Sequence, residues 1–430
     1  MLAAVVAVVV AIAAALLSGG GSGPKRLLPG GGNASGTYDP LAWSADREQE
    51  LQKRASEGFS DVVYEKSPGG VVATAKRVAR WRPLVDRAAA AYHLDPNALE
   101  AIVFLESAGR PDAVAGGDVQ GAAGLTQILA STATALLHMK VDVGKSRSLT
   151  TRIANATTAA QAAKLSRARR RIDQRFDPAH AIAGAALYLS QAQKHFGRQD
   201  MAIATYHMGM GNLENVLARY KAQGGSDKPS YAQLYFDTAP LHRPRAYQLL
   251  SSLGDDSSTY LWRVMAAREI MRLYRDDPQQ LSKLSALDRS AGGGARRLFP
   301  NGAPAQDSAA GPAPRFGPAI GLRFTGAAKT AFAPSAAARA ALVYIGAGVR
   351  KISGQAPLTI TTAHGVRLEV SRHYRSDKQA LAFQYMLDRL QAWNLIAWGR
   401  GQQTIAIVVG PEAAKVLPSA DQLVVDARRR

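Results

Sequence analysis

The stretch DPNALEAIVFLES, residues 95–107, decides the fold, because it predicts a helix with an unusual end. Asp95 followed by Pro96 is a helix start, since the acid caps the first turn and proline fits the first helical position. One face of this helix carries residues at the spacing i, i+3, i+4 and i+7, namely Leu99, Ile102, Val103 and Glu106. We therefore predict an amphipathic helix whose core-facing stripe ends in a carboxylate.

Glu106 has two interpretations on this evidence alone. Apolar surroundings destabilise a carboxylate and raise its pKa, which is what a general acid for glycosidic cleavage needs. Alternatively, Glu106 pairs with a nearby cation such as Arg110 and has no chemical role. Glu100 lies off the stripe, and we expect it to be solvated.

The rest of the chain divides by composition. Residues 45–287 carry helical patterns with few strand signals, and Asp177-Pro178 repeats the start signal of Asp95. Residues 288–333 are rich in Gly, Ala and Pro and read as a linker. Residues 334–430 contain four strand patterns, at 358–362, 366–370, 396–398 and 404–409. A helical pattern at 377–395 lies between the second and the third. The expected fold class is mainly α, with a small C-terminal α+β domain.

The amino terminus predicts export. Residues 1–23 contain an apolar run from Leu2 to Leu17 followed by small residues, which suits a signal peptide. No cation precedes the run, so an uncleaved membrane anchor stays an alternative. Residues 24–44 then read as a flexible spacer. We expect an extracytoplasmic protein, in the periplasm or cell wall, either secreted or membrane-anchored.

The charge predicts an anionic partner. The chain has 53 Lys and Arg against 33 Asp and Glu, a formal charge of +20, which suits nucleic acid, anionic lipid or an acidic wall polymer. The basic run Arg167–Arg171 has no interleaved aromatic residues for base stacking, which disfavours nucleic acid. We interpret the run as a solvated helix face, and the alternative is an electrostatic contact with an anionic polymer. Cysteine is absent, which excludes disulfides, Cys nucleophiles and thiolate metal sites.

Three motifs occur in order after the opening helix starts: Glu106-Ser107, then GAAGLTQI at 121–128, then ATYHMGMGN at 204–212. Together with the lead-in AAYHLDP at 90–96, they resemble the signatures of the soluble lytic transglycosylase family. The resemblance covers roughly residues 75–222, which form the core of the predicted helical domain. It implies a goose-lysozyme-like helical fold with a glycan groove and a single catalytic carboxylate.

The resemblance also implies the chemistry. Glu106 would protonate the glycosidic oxygen between N-acetylmuramic acid and N-acetylglucosamine, and the substrate's own N-acetyl group would stabilise the cationic centre. Glu106 would then deprotonate the C6 hydroxyl, giving a 1,6-anhydro sugar without metal or cofactor. This substrate-assisted route departs from the two-carboxylate scheme. Asp112 and Asp118 lie in the Gly-rich loop that follows, and either would favour hydrolysis if it reached the site.

Further site residues are implied by the same motifs. Ser107 and Gln127 would bind sugar or the acetamido group, and Tyr206 would orient that group or the acid. Thr126 stands where the family usually has Met, and His207 stands where it has Asn. His207 therefore brings a titratable ring to a site position.

The C-terminal domain resembles the tail domain of some actinobacterial-type transglycosylases, which is related to zinc D-Ala-D-Ala peptidases. Those enzymes use a His-x6-Asp pair and a further His. His364 and His373 are the only histidines here, and Ser371 and Ala380 stand at the Asp positions. We predict a non-catalytic, degenerate domain without zinc.

The leading hypothesis is therefore a peptidoglycan lytic transglycosylase. The alternatives are a muramidase of the same fold, and a catalytically weak protein that binds or organises the cell wall.

Overall fold

The computed structural model describes residues 41–302, 311–313, 320–354 and 357–418. The predicted signal peptide or anchor and most of the spacer lie outside these residues. No helix among the described residues is long and apolar enough to cross a membrane.

Helices dominate the chain up to residue 298. In chain order the first ten are α1 Glu48–Gly58, α2 Asp61–Glu65, α3 Val71–Ala79, α4 Arg82–Tyr92, α5 Pro96–Ser107, α6 Ala130–Ala135, α7 Val143–Ala154, α8 Ala159–Ile172, α9 Pro178–Phe196 and α10 Gln199–Met208. They are followed by α11 Met210–Ala222, α12 Tyr231–Phe236, α13 Pro244–Ser252, α14 Asp255–Asp276 and α15 Pro278–Leu298. Two short strands, β1 Ala122–Ala123 and β2 Ile128–Leu129, form an antiparallel hairpin that begins in the GAAGLTQI motif and ends one residue after it.

The C-terminal region forms a six-stranded mixed sheet with helices. Its elements are β3 Leu322–Phe324, α16 Ala327–Thr330, β4 Ala333–Pro334, α17 Ala336–Ser353, β5 Leu358–Gly365, β6 Arg367–Ser371, α18 Asp377–Ala392, β7 Ile396–Arg400, β8 Thr404–Val409 and α19 Ala413–Val416. The strand order is β3-β5-β6-β8-β7; β3 and β4 both run parallel to β5, and the other neighbours are antiparallel. The predicted fold class, mainly α with a small C-terminal α+β domain, is confirmed.

The predicted linker is partly structured. Helix α15 continues to Leu298, with a break at Gly292 where φ is 80°. Strand β3 and helix α16 also fall inside the predicted linker range 288–333. Local composition missed these elements because the Ala and Gly residues of this range give no apolar periodicity.

The described chain divides into two compact units. The first comprises residues 62–215 and 251–285, and the second comprises 41–61, 216–250 and 286–418 with its gaps. Residues 45–61 and 216–250, expected in the helical domain, thus cluster with the sheet region. Trp393 illustrates the reason: its indole N–H donates to the Leu41 carbonyl, and the Arg47 guanidinium lies 4.4 Å from its ring centroid. Such contacts link residues too far apart in sequence for a local pattern to predict.

Within the first unit, α5 is almost completely buried and packs along α14. The prediction that Glu100 is solvated is wrong. Its side chain is fully buried, and Oε2 accepts hydrogen bonds from Arg275 at 2.7 Å and Arg82 at 3.3 Å. A buried carboxylate requires such partners, and these come from α14 and α4, which cover the face of α5 that we expected to meet solvent.

Candidate functional site

Helix α5 begins where the Asp95-Pro96 start signal predicts, and this start determines which residue of the helix faces the core at its end. The Asp95 carboxylate accepts a hydrogen bond from the Asn97 N–H at 2.8 Å, and Pro96 occupies the first position. The three apolar residues of the stripe, Leu99, Ile102 and Val103, are completely buried. The helix ends at Ser107, because Ala108 and Gly109 both adopt positive φ values, 54° and 73°. Glu106 is therefore held half-buried in the last turn, at the end of the core-facing stripe.

Tyr260 of helix α14 is the hydrogen-bond partner of the acid. Its hydroxyl donates to Glu106 Oε1 at 2.6 Å, and its side chain is buried. Burial raises the pKa of the Tyr260 phenol well above its ordinary value, and the charge of Glu106 raises it further. Tyr260 thus remains a neutral donor that fixes the orientation of the carboxyl group.

A row of tyrosine rings connects the acid to the second motif. The Tyr206 ring stacks on Tyr260 with centroids 6.2 Å apart and planes within 8°, and Tyr188 meets Tyr206 edge-on at 5.6 Å. The Tyr206 hydroxyl donates to the Thr126 carbonyl at 2.8 Å. Burial, and after it the charge of Glu106, raise the pKa of Tyr206 well above its ordinary value. The GLTQ loop, residues 124–127, is therefore connected through the Tyr206 ring to Tyr260, which holds Glu106. This aromatic contact resists movement of the loop.

His207 faces the same cavity as Glu106. Its ring is exposed and lies 5.4 Å from the Tyr260 ring, centroid to centroid. His207 Nδ1 is 2.9 Å from the hydroxyl oxygen of Ser257, a buried residue at the start of α14. This hydrogen bond orients the imidazole at the edge of the site.

The GLTQ loop is held by a buried ion pair that sequence reasoning missed. Arg175 and Asp173 are both fully buried, with Arg175 Nη2 2.8 Å from Asp173 Oδ2. The same guanidinium donates to the backbone carbonyls of Val119 at 2.7 Å and Gly121 at 2.8 Å. Burying such a pair is favourable only when its remaining polar atoms are bonded, and these loop carbonyls supply that. The sequence shows only an aspartate and an arginine two positions apart, Asp173 and Arg175. That pattern is too common to predict a buried ion pair that binds the loop.

Gly124 is required where this loop approaches Arg175. Its φ is 80°, and a Cβ built on it would lie 1.7 Å from the Arg175 carbonyl oxygen. Neither the backbone conformation nor the space accommodates a side chain.

The remaining predicted residues serve the loop or line the cavity. The Thr126 side chain is fully buried, and its hydroxyl donates to the Ala181 carbonyl at 3.1 Å, so it does not face the cavity. The Gln127 amide donates to the Gly124 carbonyl at 2.8 Å and the Ala113 carbonyl at 3.2 Å, and its φ is 48°. Ser107 lines the cavity, with its hydroxyl 3.3 Å from the Val103 carbonyl to which it donates.

The side chain of Glu106 opens onto a cavity of about 190 Å³ in the first unit. Glu106, Ser107, His207 and Tyr260 line it, together with the cations Lys66, Arg110 and Arg263 and apolar residues of α2 and α5. Glu106 is the only carboxylate among the described residues that line this cavity.

The loop acids considered for hydrolysis are held by cations. Asp112 Oδ1 lies 2.7 Å from Arg169 Nη2, and Asp118 Oδ1 lies 3.0 Å from Arg147 Nη2. Within the described ranges, no group of three or more His, Asp or Glu residues is placed to hold a metal ion. The arrangement can donate and accept one proton at Glu106, beside a neutral phenol and an imidazole.

Comparison with known proteins agrees with this architecture. Residues 83–228 match the family model described as the transglycosylase SLT domain. Curated relatives include the endo-type membrane-bound lytic murein transglycosylase A of Salmonella paratyphi B, of Salmonella enteritidis PT4 and of Salmonella typhimurium. Each is 38% identical over 69 residues, which is 16% of this chain and 32% of the relative. The chain thus spans about a third of the length of these curated relatives. The match to the transglycosylase SLT domain thus covers residues 83–228, about a third of this chain.

Proposed function

We propose that this protein is a lytic transglycosylase that cleaves the glycan strands of peptidoglycan, with Glu106 as acid and then base. The observation that carries the proposal is the cavity, where one half-buried carboxylate is oriented by the Tyr260 hydroxyl. The SLT domain and the names of the Salmonella relatives support the same activity.

The proposed reaction needs one carboxyl group. Glu106 donates its proton to the glycosidic oxygen between N-acetylmuramic acid and N-acetylglucosamine. At the same time the bond between that oxygen and C1 of N-acetylmuramic acid breaks. The N-acetyl oxygen of the substrate stabilises C1, and the C6 hydroxyl then attacks C1. The resulting Glu106 carboxylate takes the C6 hydroxyl proton, so Glu106 regains the proton that it gave away. The product is a 1,6-anhydromuramyl end, and no water is consumed.

Six neighbouring residues have proposed roles in this scheme. Tyr260 holds Glu106 Oε1, so that the carboxyl group keeps one orientation through both proton transfers. Ser107 and His207 line the cavity with polar atoms that suit sugar hydroxyl and acetamido groups. Gln127 and Tyr206 act by fixing the loop and the aromatic row, and Thr126 acts through its carbonyl.

Hydrolysis by the same fold is the second candidate, and the geometry disfavours it. A two-carboxylate mechanism needs a second acid near the scissile bond. Asp112 and Asp118 are engaged by Arg169 and Arg147 instead. We also propose that the protein works outside the cytoplasm, where its substrate lies.

Mass spectrometry of products from purified peptidoglycan tests the proposal, with wild type beside Glu106→Gln. We expect 1,6-anhydromuramyl ends from wild type and a loss of about a thousandfold or more in rate for the variant, because the amide cannot transfer the proton. Reducing ends would instead establish hydrolysis. Unchanged turnover by Glu106→Gln would overturn the enzymatic role and favour a protein that binds or organises the wall.

A further inference from the structure

The first unit carries a strongly basic segment that the proposed reaction does not use. Residues 143–172, which form helices α7 and α8 and their four-residue connection, contain no Asp or Glu. Their cations are Lys145, Arg147, Arg152, Lys164, Arg167, Arg169, Arg170 and Arg171. The two helices pack against each other, and we call this segment the basic hairpin.

Some of these cations are structural. Arg169 is buried; it pairs with Asp112 and lies 3.7 Å from the Phe176 ring centroid. Its burial contradicts our interpretation of the whole run as solvated. Arg147 pairs with Asp118, and Lys145 pairs with Asp142 at 3.0 Å. The first two of these ion pairs attach the hairpin to the loop between Glu106 and the GLTQ motif.

Of the remaining five cations, all but the half-buried Arg170 are exposed. Arg152, Lys164, Arg167 and Arg171 are exposed, and none forms a hydrogen bond or ion pair with the described part of the chain. Lys164, Arg167 and Arg171 follow the spacing i, i+3 and i+7, so they form one stripe on α8, about 10 Å long from the helical rise. The opposite face of α8 is the buried one, with Leu165 and Arg169. The three unpaired charges of this stripe repel each other, and a bound polyanion would relieve that repulsion.

The surroundings of the stripe narrow the class of polyanion. The hairpin contains no aromatic residue, so bases of a nucleic acid would find no ring to stack on. It also exposes no large apolar side chain that would enter a lipid bilayer. Guanidinium groups form paired hydrogen bonds with the oxygens of a phosphate. A polymer with a phosphate in every backbone repeat carries negative charges along its length. Such a polymer can therefore contact all the cations of the linear stripe on α8 at once.

We propose that the basic hairpin binds an anionic phosphodiester polymer of the cell envelope, through Arg152, Lys164, Arg167 and Arg171. This binding surface is separate from the cavity of Glu106. It keeps the enzyme in a phosphate-rich layer while the cavity processes glycan.

The test measures binding of the full chain to lipid-free poly(glycerol phosphate) by fluorescence anisotropy. One variant carries R152Q, K164Q, R167Q and R171Q. The matched control removes four exposed cations elsewhere in the first unit, with K76Q, R87Q, K194Q and K283Q, and so has the same net charge. We expect the hairpin variant to bind about tenfold more weakly at 150 mM salt, and the control to change by less than about threefold, since only local charges contribute strongly at that Debye length.

A second measurement uses wild type alone and does not depend on variants that fold. Bound poly(glycerol phosphate) should protect Arg152, Arg167 and Arg171 from an arginine-modifying reagent, as read by peptide mass spectrometry, but should leave Arg87 reactive. Equal weakening of both variants, or equal reactivity of all four arginines, would overturn the proposal. So would equal affinity for a polycarboxylate such as polygalacturonate, or tighter binding to duplex DNA or anionic lipid vesicles.

Discussion

A single phenolic hydroxyl is the structural feature that distinguishes Glu106 from an ordinary glutamate at a helix end. Tyr260 donates to its Oε1 at 2.6 Å from a helix that begins almost 150 residues later. In the proposed reaction Glu106 carries the proton, and Tyr260 holds the carboxyl group in place.

Replacing Tyr260 with Phe should therefore reduce activity far more than stability. We expect the rate at which products form from peptidoglycan to fall by about 10- to 100-fold. Without the hydrogen bond from Tyr260, the Glu106 carboxyl group samples unproductive orientations. The free energy of unfolding should fall by about 1 kcal/mol, the net contribution of one hydrogen bond. Rates and urea unfolding curves of the purified protein measure both effects.

Tyr188→Phe is the matched control. Its hydroxyl donates to the Thr205 carbonyl at 2.9 Å, and its ring contacts Tyr206. This variant loses a comparable hydrogen bond without touching Glu106, so its activity should stay within about threefold of wild type. Equal loss of activity in the two variants would show that the hydroxyl of Tyr260 has no specific role.

At the scale of elements, the GLTQ loop depends on close contact between two backbones. Gly124→Ala would place a methyl group 1.7 Å from the Arg175 carbonyl oxygen and force a residue with a Cβ to a φ of 80°. We expect a loss of about 3 kcal/mol or more in the free energy of unfolding, because both the loop and the buried ion pair must shift. Urea denaturation followed by circular dichroism measures it.

Gly197→Ala separates backbone strain from steric overlap. Gly197 ends α9 with a φ of 71°, and a Cβ there would meet nothing within 4 Å. This change should cost about 1 kcal/mol, the cost of left-handed backbone alone. If the two variants were equally stable, the contact between Gly124 and Arg175 would not constrain the loop.

Elements defined by local signals were predictable, and those defined by distant partners were not. Asp95-Pro96 set the start of α5, and alternating apolar residues marked β5, β6 and β8. The burial of Glu100 was missed because Arg275, which neutralises it, is 175 residues away. Tyr260 was missed for the same reason, since nothing near it in sequence resembles a site. The burial of Arg169 was hidden in a run that looks uniformly solvent-exposed.

The whole molecule carries a charge of +20, which makes acid conditions a threat to its stability. Protonating carboxylates removes negative charge and increases self-repulsion. Asp237 in the second unit is one such group. Burial acts to raise its pKa, but hydrogen bonds from His242 and Tyr220 and the charge of Arg243 outweigh burial and lower it below its ordinary value of 3.8.

This pKa sets the direction of a pH dependence. Because the folded pKa of Asp237 is lowered, its stabilisation is fully present above about pH 5 and is lost as the pH falls through 3.8 and below. We expect the urea midpoint of wild type to fall between pH 5 and pH 3, and the fall to be shallower in Asp237→Asn. The variant should also be less stable at pH 7, because its interactions with Arg243 and His242 are weakened.

Asp46→Asn is the comparison, since Asp46 is exposed and has no hydrogen bond or ion pair with the described residues. Its urea midpoints should follow the wild-type curve across the same range. A slope for Asp237→Asn as steep as that of wild type would assign the acid sensitivity to other carboxylates.

The bond between Glu106 and Tyr260 also has a consequence for the order in which the chain is made. The two residues are 154 positions apart, so the acid leaves the ribosome long before its partner is synthesised. A nascent chain that stops anywhere between them carries Glu106 without the hydroxyl that holds it. The carboxyl group is thus held only when α14 joins α5, so the proposed chemistry would be acquired only once this part of the chain is complete.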